Sequence, residues 1–203
     1  VQALIARGKF DIPTGWEKWL LDLVGLSTIA DMVPLQGENR VLAHYGLTVL
    51  RKTRRPGLRA LLSALRIQSR FLTEDDVGFM IAPRINAASR MAEPRLAFDL
   101  LSADEAAAPA LAAELEKLNK ERKGVVGSLV REMKGLVRER NIISPVIVLG
   151  NPAWRPGLLG LAANSVSWSS ALSSVSLTRS TSIPWGLATG VLLTNQPSLL
   201  NLP

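Results

Sequence analysis

The chain has 203 residues, of which 47% are hydrophobic, and its net charge is +7. This length suits one ordinary domain or two small ones, and the absence of cysteine excludes disulfides, zinc knuckles and thiol nucleophiles. With no leader-like start and no long apolar run, we expect a cytoplasmic protein that does not bind or span a membrane. The basic balance favours a polyanionic partner such as nucleic acid, although a basic surface can also simply maintain solubility.

The first part of the chain is predicted to be helical. Thr14 and Glu17 have the spacing of a capping box, which predicts a helix over 16–26 with Trp16 on its buried side. A break follows, since proline and glycine occur within 34–37. Further helices are predicted over 38–55 and 58–67, separated by a Pro-Gly pair. The expected inner residues of the first of these are Val41, Leu42, Tyr45, Val49 and Leu50.

The stretch "STIADMVPL" (27–35) contains one acidic residue, Asp31, among apolar or small residues. A carboxylate is costly to bury without a partner, because it loses its hydration. Asp31 is therefore a candidate functional residue, and a role in capping the turn between two helices is the alternative.

Two arginines flank small residues in "IAPRINAASRM" (81–91), after a helix that Thr73 is predicted to cap. Because a residue before proline avoids helical geometry, we expect a loop near Pro83. In such a loop Arg84 and Arg90 could bind phosphate oxygens, or form ion pairs with nearby carboxylates.

The second half of the chain predicts a long helix followed by a strand. Ser102 and Glu105 form a second possible capping box, before a strongly helical run over 103–140. "SPVIVLG" (144–150) predicts a buried strand, followed by a helix that begins near Gly157. Trp154 in the intervening loop could stack on a base or lie in the core.

The serine-rich segment 165–203 has no clear period of a helix or a strand. It is either poorly ordered or, as we prefer, not the natural continuation of the domain, as an out-of-frame sequence would be.

Several motifs in consistent order resemble the bacterial RecJ family of the DHH phosphoesterase superfamily. "LLDLVGLSTIADMVPLQGENRVLAHYGLTVLR" (20–51), "RPGLRALL" (55–62) and "DVGFMIAPRINAASRM" (76–91) are similar to family motifs. "LNKERK" (118–123) and "VIVLGNPAWRPGLLGLAAN" (146–164) extend the resemblance. Ser89 and Arg155 stand where the family usually has glycine and histidine.

The resemblance implies a metal-dependent 5′→3′ exonuclease that hydrolyses single-stranded DNA in repair and recombination. Asp31 matches an aspartate that helps to hold a pair of Mn²⁺ or Mg²⁺ ions, while the other aspartates and the His-His pair of the family precede this segment. One carboxylate does not hold two metals, so we expect an internal fragment that is inactive alone. We interpret the only histidine, His44, as a surface residue.

The implied fold is α/β, in three parts followed by the atypical tail. Residues 1–36 would end a DHH-type catalytic domain, 37–55 would form a long linking helix, and 56–164 would form most of a DHH-associated second domain, incomplete at the C-terminus. DNA would lie between the domains. Its expected contacts are Arg84, Asn86, Arg90, Trp154 and Arg155.

The expected partner is single-stranded DNA, with single-strand-binding protein or a helicase as further partners of a monomer. A non-catalytic nucleic-acid-binding or replication-scaffold relative is the main alternative. A superfamily member that acts on short oligonucleotides or cyclic dinucleotides is a weaker one, because the chain has no "GGGH" motif.

Overall fold

The computed structural model describes residues 1–8, 11–139, 146–169, 174–179 and 189–194. The chain divides into two compact units, Val1–Asn119 and Lys120–Pro203, with the boundary inside one long helix. No helix among the described residues is long and apolar enough to cross a bilayer.

The first unit is helical throughout its described part. Its α-helices, in chain order, are α1 (Gln2–Ala6), α2 (Leu21–Ala30), α3 (Gly37–Leu50), α4 (Pro56–Ala64), α5 (Ala82–Met91), α6 (Arg95–Ser102) and the start of α7 (Ala108–Glu139). Short 3-10 helices cover Trp16–Leu20 and Ser69–Phe71, and a π-helix covers Asp76–Ile81. The core contains, among others, Leu26, Leu50, Leu58, Leu61, Leu72, Leu100 and Leu115.

Helices α2 and α3 meet at two glycines. A Cβ atom on Gly46 would lie 2.7 Å from both the Gly25 nitrogen and the Leu21 carbonyl oxygen, and it would also clash with the Gly25 Cα. The two backbones therefore approach more closely than any side chain allows. The contact lies near the middle of α2, and Asp31 follows at the C-terminal end of the same helix.

The first predicted helices are correct in outline and wrong in detail. The helix predicted over 16–26 begins as a 3-10 helix with Gly15 at its N-cap and without a side-chain capping bond. Trp16 remains 46% exposed, and Val41 and Tyr45 on α3 are also exposed. The buried residues of α3 are instead Ala43, Gly46 and Leu50, and the close contact with α2 requires glycine at position 46.

The predicted linking helix over 37–55 is too long at its C-terminal end. Helix α3 ends at Leu50, and Arg55 adopts extended geometry (φ −73°, ψ 119°) before Pro56 begins α4. The steric restriction on a residue before proline explains this break.

The loop predicted near Pro83 is wrong, because residues 82–91 form α5. Ala82, which precedes the proline, is helical (φ −55°, ψ −42°). The π-helix directly before it has a wider backbone turn, and we infer that this width accommodates the proline ring. Thr73 does cap this segment, since its Oγ1 accepts a hydrogen bond from the Asp76 N–H at 3.2 Å and donates one to the Asp76 carboxylate at 2.9 Å.

The second predicted capping box is also wrong. The Asp104 carboxylate, not Ser102, accepts hydrogen bonds from the Ala106 and Ala107 N–H groups at 3.1 and 2.9 Å. Glu105 forms an ion pair with Arg59 at 2.8 Å instead.

The second unit contains the rest of α7, a three-stranded antiparallel sheet and α8 (Pro156–Ser169). The strands are β1 (Val146–Gly150), β2 (Ser174–Arg179) and β3 (Thr189–Thr194), in the order β1-β3-β2. Val148 pairs with Leu192, and Ser176 pairs with Leu192 from the other side. Helix α8 packs against β2 and β3.

The predicted strand over 144–150 is confirmed from Val146 onwards, and the helix predicted near Gly157 is confirmed as α8. Residues 144–145 lie outside the described residues. The serine-rich segment 165–203 contributes β2 and β3. The presence of these strands does not show whether the segment is encoded in the natural reading frame, so the out-of-frame interpretation stays a prediction. The described residues are mostly helical, so the predicted α/β layout is not confirmed.

Candidate functional site

Asp31 lies at the C-terminal end of α2, where its N–H donates a hydrogen bond to the Ser27 carbonyl at 2.9 Å. Its side chain is exposed, and its carboxylate has no hydrogen bond or ion pair among the described residues. The next residue, Met32, has a left-handed backbone (φ 52°) and is 83% exposed. This geometry is strained for a side chain of that size, and such strain is concentrated at functional sites. The turn therefore presents an unpaired carboxylate to solvent.

Asp31 and Asn86 line the same cavity of about 230 Å³, although they lie far apart in the sequence. Ser27 comes from α2, while Ala82 and Ile85 come from α5 and complete much of the wall. Helix α5 presents Asn86 here because the π-helix leads directly into it. The tertiary structure thus brings together two predicted site residues from different motifs.

The described residues do not form a complete metal site. No group of three or more His, Cys, Asp or Glu side chains comes together among them. Mg²⁺ and Mn²⁺ prefer about six oxygen ligands, whereas most residues that line this cavity are apolar and its side-chain oxygens belong to Ser27, Asp31 and Asn86. Asp31 fits the role of a single ligand, since no other side chain competes for its oxygens among the described residues.

Arg84 makes two contacts within the first unit. Its Nε donates to the Glu116 carboxylate at 2.6 Å, and its Nη1 donates to the Met80 carbonyl at 2.7 Å. The Arg84 side chain is only 12% exposed. These contacts match the carboxylate pairing that the sequence left as an alternative. Arg90, in the last turn of α5, is half-buried.

Trp154 and Arg155 lie in the second unit, directly before α8. Trp154 is 5% exposed, and its indole N–H is buried without a hydrogen-bond partner among the described residues. Stacking on a base would require this ring to be uncovered. Arg155 is exposed beside the first residue of α8. The interpretation of His44 as a surface residue is confirmed, since it is exposed and its ring lies edge-on to Tyr45.

The buried acid of α2 is Asp22, which the sequence analysis missed. It is 3% exposed, and its carboxylate accepts hydrogen bonds from the Arg55 Nε at 2.8 Å and the Leu23 N–H at 2.7 Å. The available signal was its position between Leu21 and Leu23 in an apolar run. Asp22 is therefore held by a partner inside the fold, whereas the Asp31 carboxylate has no such partner among the described residues.

The relatives of this chain by sequence are single-stranded-DNA-specific exonucleases. They are RecJ proteins. The chain is 40% identical to RecJ of Bacillus subtilis over 148 residues, which cover 72% of this chain and 19% of that protein. It is 35% identical to RecJ of Escherichia coli over 153 residues, which cover 72% of this chain and 26% of that protein. No family model matches the chain.

Solved RecJ structures are similar to this fold. RecJ of Thermus thermophilus in complex with Mn²⁺ matches with a TM-score of 0.71 and 27% identity, over 96% of this chain and 32% of that one. An exonuclease RecJ bound to manganese matches with a TM-score of 0.70 and 28% identity, over 96% of this chain and 54% of that one. The resemblance identified from the sequence is confirmed: this chain is homologous to a segment of the RecJ family and has a RecJ-like fold. It spans about a fifth to a quarter of the length of its curated relatives.

Proposed function

We propose that this chain is part of a metal-dependent 5′→3′ exonuclease that hydrolyses phosphodiester bonds of single-stranded DNA in repair and recombination, in the cytoplasm. The supporting observation is the exposed carboxylate of Asp31, which has no partner among the described residues and lines the same cavity as Asn86, in a chain that is 40% identical over 148 residues to a single-stranded-DNA-specific exonuclease. The alternative of a non-catalytic scaffold is not favoured, since the relatives are named as exonucleases.

In this proposal Asp31 is one ligand of a divalent metal site whose other ligands lie outside the described residues. A bound divalent ion lowers the pKa of its water and stabilises charge on the phosphate. In this proposal the chain supplies the carboxylate oxygen of Asp31 from the C-terminal end of α2, the helix that packs against α3 at Gly25 and Gly46. The proposal also includes the division of the chain after residues 36, 55 and 164 into the end of a catalytic domain, a linking helix and a second domain. It further includes a monomeric protein that works with single-strand-binding protein or a helicase.

The residues proposed to contact DNA differ in their solvent exposure. Asn86 and Arg155 are exposed, and Arg90 is half-buried. Arg84 already donates to Glu116 and Met80, so a phosphate would have to compete with these acceptors or use its remaining N–H groups. Phosphate contacts of this kind give affinity without sequence preference and weaken as salt rises.

The experiment compares Asp31→Ala with Glu93→Ala in a longer polypeptide that includes this chain and cleaves single-stranded DNA. Glu93 is a matched control, because it is another exposed acid of the same unit. Loss of a residue that supports a metal ligand costs about 10–100-fold in affinity or activity, so loss of the ligand itself should lower the rate by more than about 100-fold. Nucleotide release in Mn²⁺ or Mg²⁺ measures the rate, and a Mn²⁺ titration measures binding directly.

Cleavage by Asp31→Ala at the rate of Glu93→Ala, with unchanged Mn²⁺ affinity, would refute the ligand role. Urea unfolding of both variants checks that the comparison concerns the site and not the fold.

A further inference from the structure

The first unit contains a second cavity, of about 340 Å³, that the proposed function does not use. Two indole rings and two guanidinium groups line it, from Trp16, Trp19, Arg54 and Arg55. Its size is within the range of small-molecule sites, and aromatic walls with a few polar groups are typical of such sites.

Arg54 is held in place by an aromatic ring and not by an acid. Its guanidinium carbon lies 4.1 Å from the centre of the Trp19 ring, which is a cation–π contact. Arg54 is exposed and has no hydrogen bond or ion pair among the described residues. A guanidinium that lies flat on a ring keeps its N–H groups directed outward, where they can bind an oxyanion through two parallel hydrogen bonds.

Among the described residues that line this cavity, one cation has no acidic partner. Arg55 is paired with the buried carboxylate of Asp22 at 2.8 Å, so these two charges cancel. Arg54 supplies the remaining positive charge. Trp16 lines the same cavity and is 46% exposed, so part of a large aromatic surface faces solvent.

We propose that this cavity binds one nucleotide of a single-stranded nucleic acid, with the base stacked on Trp16 and a phosphate bound by Arg54. An inorganic anion would use the cation and leave the indole unused, whereas an apolar ligand would leave the cation unused. A nucleotide has both an aromatic face and an anionic group, which is the combination that single-strand-binding surfaces recognise. The inference rests on the proposed function, since it adds a second contact for the same DNA strand.

The test is titration of the 203-residue chain with fluorescently labelled octathymidylate, followed by anisotropy at several salt concentrations. Trp16→Leu should weaken binding about 5- to 100-fold, while Trp16→Phe, which keeps an aromatic face, should lose much less. Arg54→Ala should weaken binding and lower the salt slope by about 0.7, the value for one phosphate contact on a single strand. The matched control is Arg70→Ala, which removes another exposed arginine, one that lies over the Phe71 ring at 5.5 Å. It should leave both quantities unchanged.

Three results would overturn the proposal: no binding of octathymidylate by the unsubstituted chain, equal affinity in Arg54→Ala and Arg70→Ala, or equal binding of a polyglutamate peptide, which would show that the cavity responds to charge alone. Failure here leaves the Asp31 cleavage test intact. Normal cleavage by Asp31→Ala would instead refute the metal site and leave the oligonucleotide affinities of the Trp16 and Arg54 variants as they are.

Discussion

Replacement of Asp22 by alanine should destabilise the protein far more than replacement of Asp31, although both aspartates belong to α2 or its C-terminal end. Asp22→Ala removes the acceptor of the Arg55 Nε at 2.8 Å, of the Leu23 N–H at 2.7 Å and of the Thr53 hydroxyl at 3.4 Å. Asp31→Ala removes no hydrogen bond of the carboxylate among the described residues.

The magnitude follows from the burial of the two partners. Breaking a buried ion pair by removing one partner costs about 3–5 kcal/mol, because the other charge is left uncompensated. The Asp22 side chain is 4% exposed but that of Arg55 is 27% exposed, so the guanidinium recovers part of its hydration. We therefore expect Asp22→Ala to lower the free energy of unfolding by about 3 kcal/mol, near the lower end of this range. For Asp31→Ala, an exposed substitution, the expected change is within about 0.5 kcal/mol.

Urea unfolding followed by far-ultraviolet circular dichroism measures both effects. With a slope of about 1–3 kcal/mol per molar urea, Asp22→Ala should lower the midpoint by at least about 1 M. Asp22→Asn, which retains an oxygen acceptor but loses the charge, should fall between the two alanine variants. An Asp22→Ala midpoint within experimental error of Asp31→Ala would refute the argument that the buried ion pair stabilises this unit.

Two further substitutions test the packing around the site. Gly46→Ala should lower the free energy of unfolding by about 2 kcal/mol. Overpacking costs about 1–3 kcal/mol, and separation of the two helices adds lost contacts. Alanine offsets about 1 kcal/mol of this loss, because it has a higher helix propensity than glycine. Gly78→Ala is the matched control and should not destabilise the protein, because Gly78 is a helical glycine with open space around it. A urea midpoint of Gly46→Ala as high as that of Gly78→Ala would contradict the close contact between α2 and α3. Arg84→Ala should cost about 1–3 kcal/mol, because Glu116, whose side chain is 24% exposed, loses this partner. Single-strand affinity measured at several salt concentrations should keep its slope if Arg84 is structural, and a slope lower by about 0.7 would instead support the proposed phosphate contact.

The order of the motifs was sufficient to identify the family, because five segments in register are far more specific than any one of them. Local chemistry also gave the break between α2 and α3, the strand that begins at Val146 and the helix near Gly157. These features depend on neighbouring residues, through proline and glycine geometry and runs of β-branched residues.

The two prolines show where local rules are insufficient. The restriction on the residue before proline correctly explains the extended Arg55, yet Ala82 before Pro83 is helical. The difference lies in the preceding turn, since a π-helix leads into Pro83 and an extended segment leads into Pro56. π-Helices are rare, and the rule for the residue before proline considers only its nearest neighbour, so that rule alone does not reveal one.

By itself, the sequence determined the family segment and marked an acid in an apolar setting as the residue to explain. Only the tertiary structure decided which aspartate is buried: Asp22 is paired with Arg55, and Asp31 is exposed and lines the same cavity as Asn86. It also placed Arg54 on Trp19, two residues that no local motif connects. The physical reason is that burial and charge pairing depend on residues distant in sequence, which the folded chain brings within a few ångströms of each other.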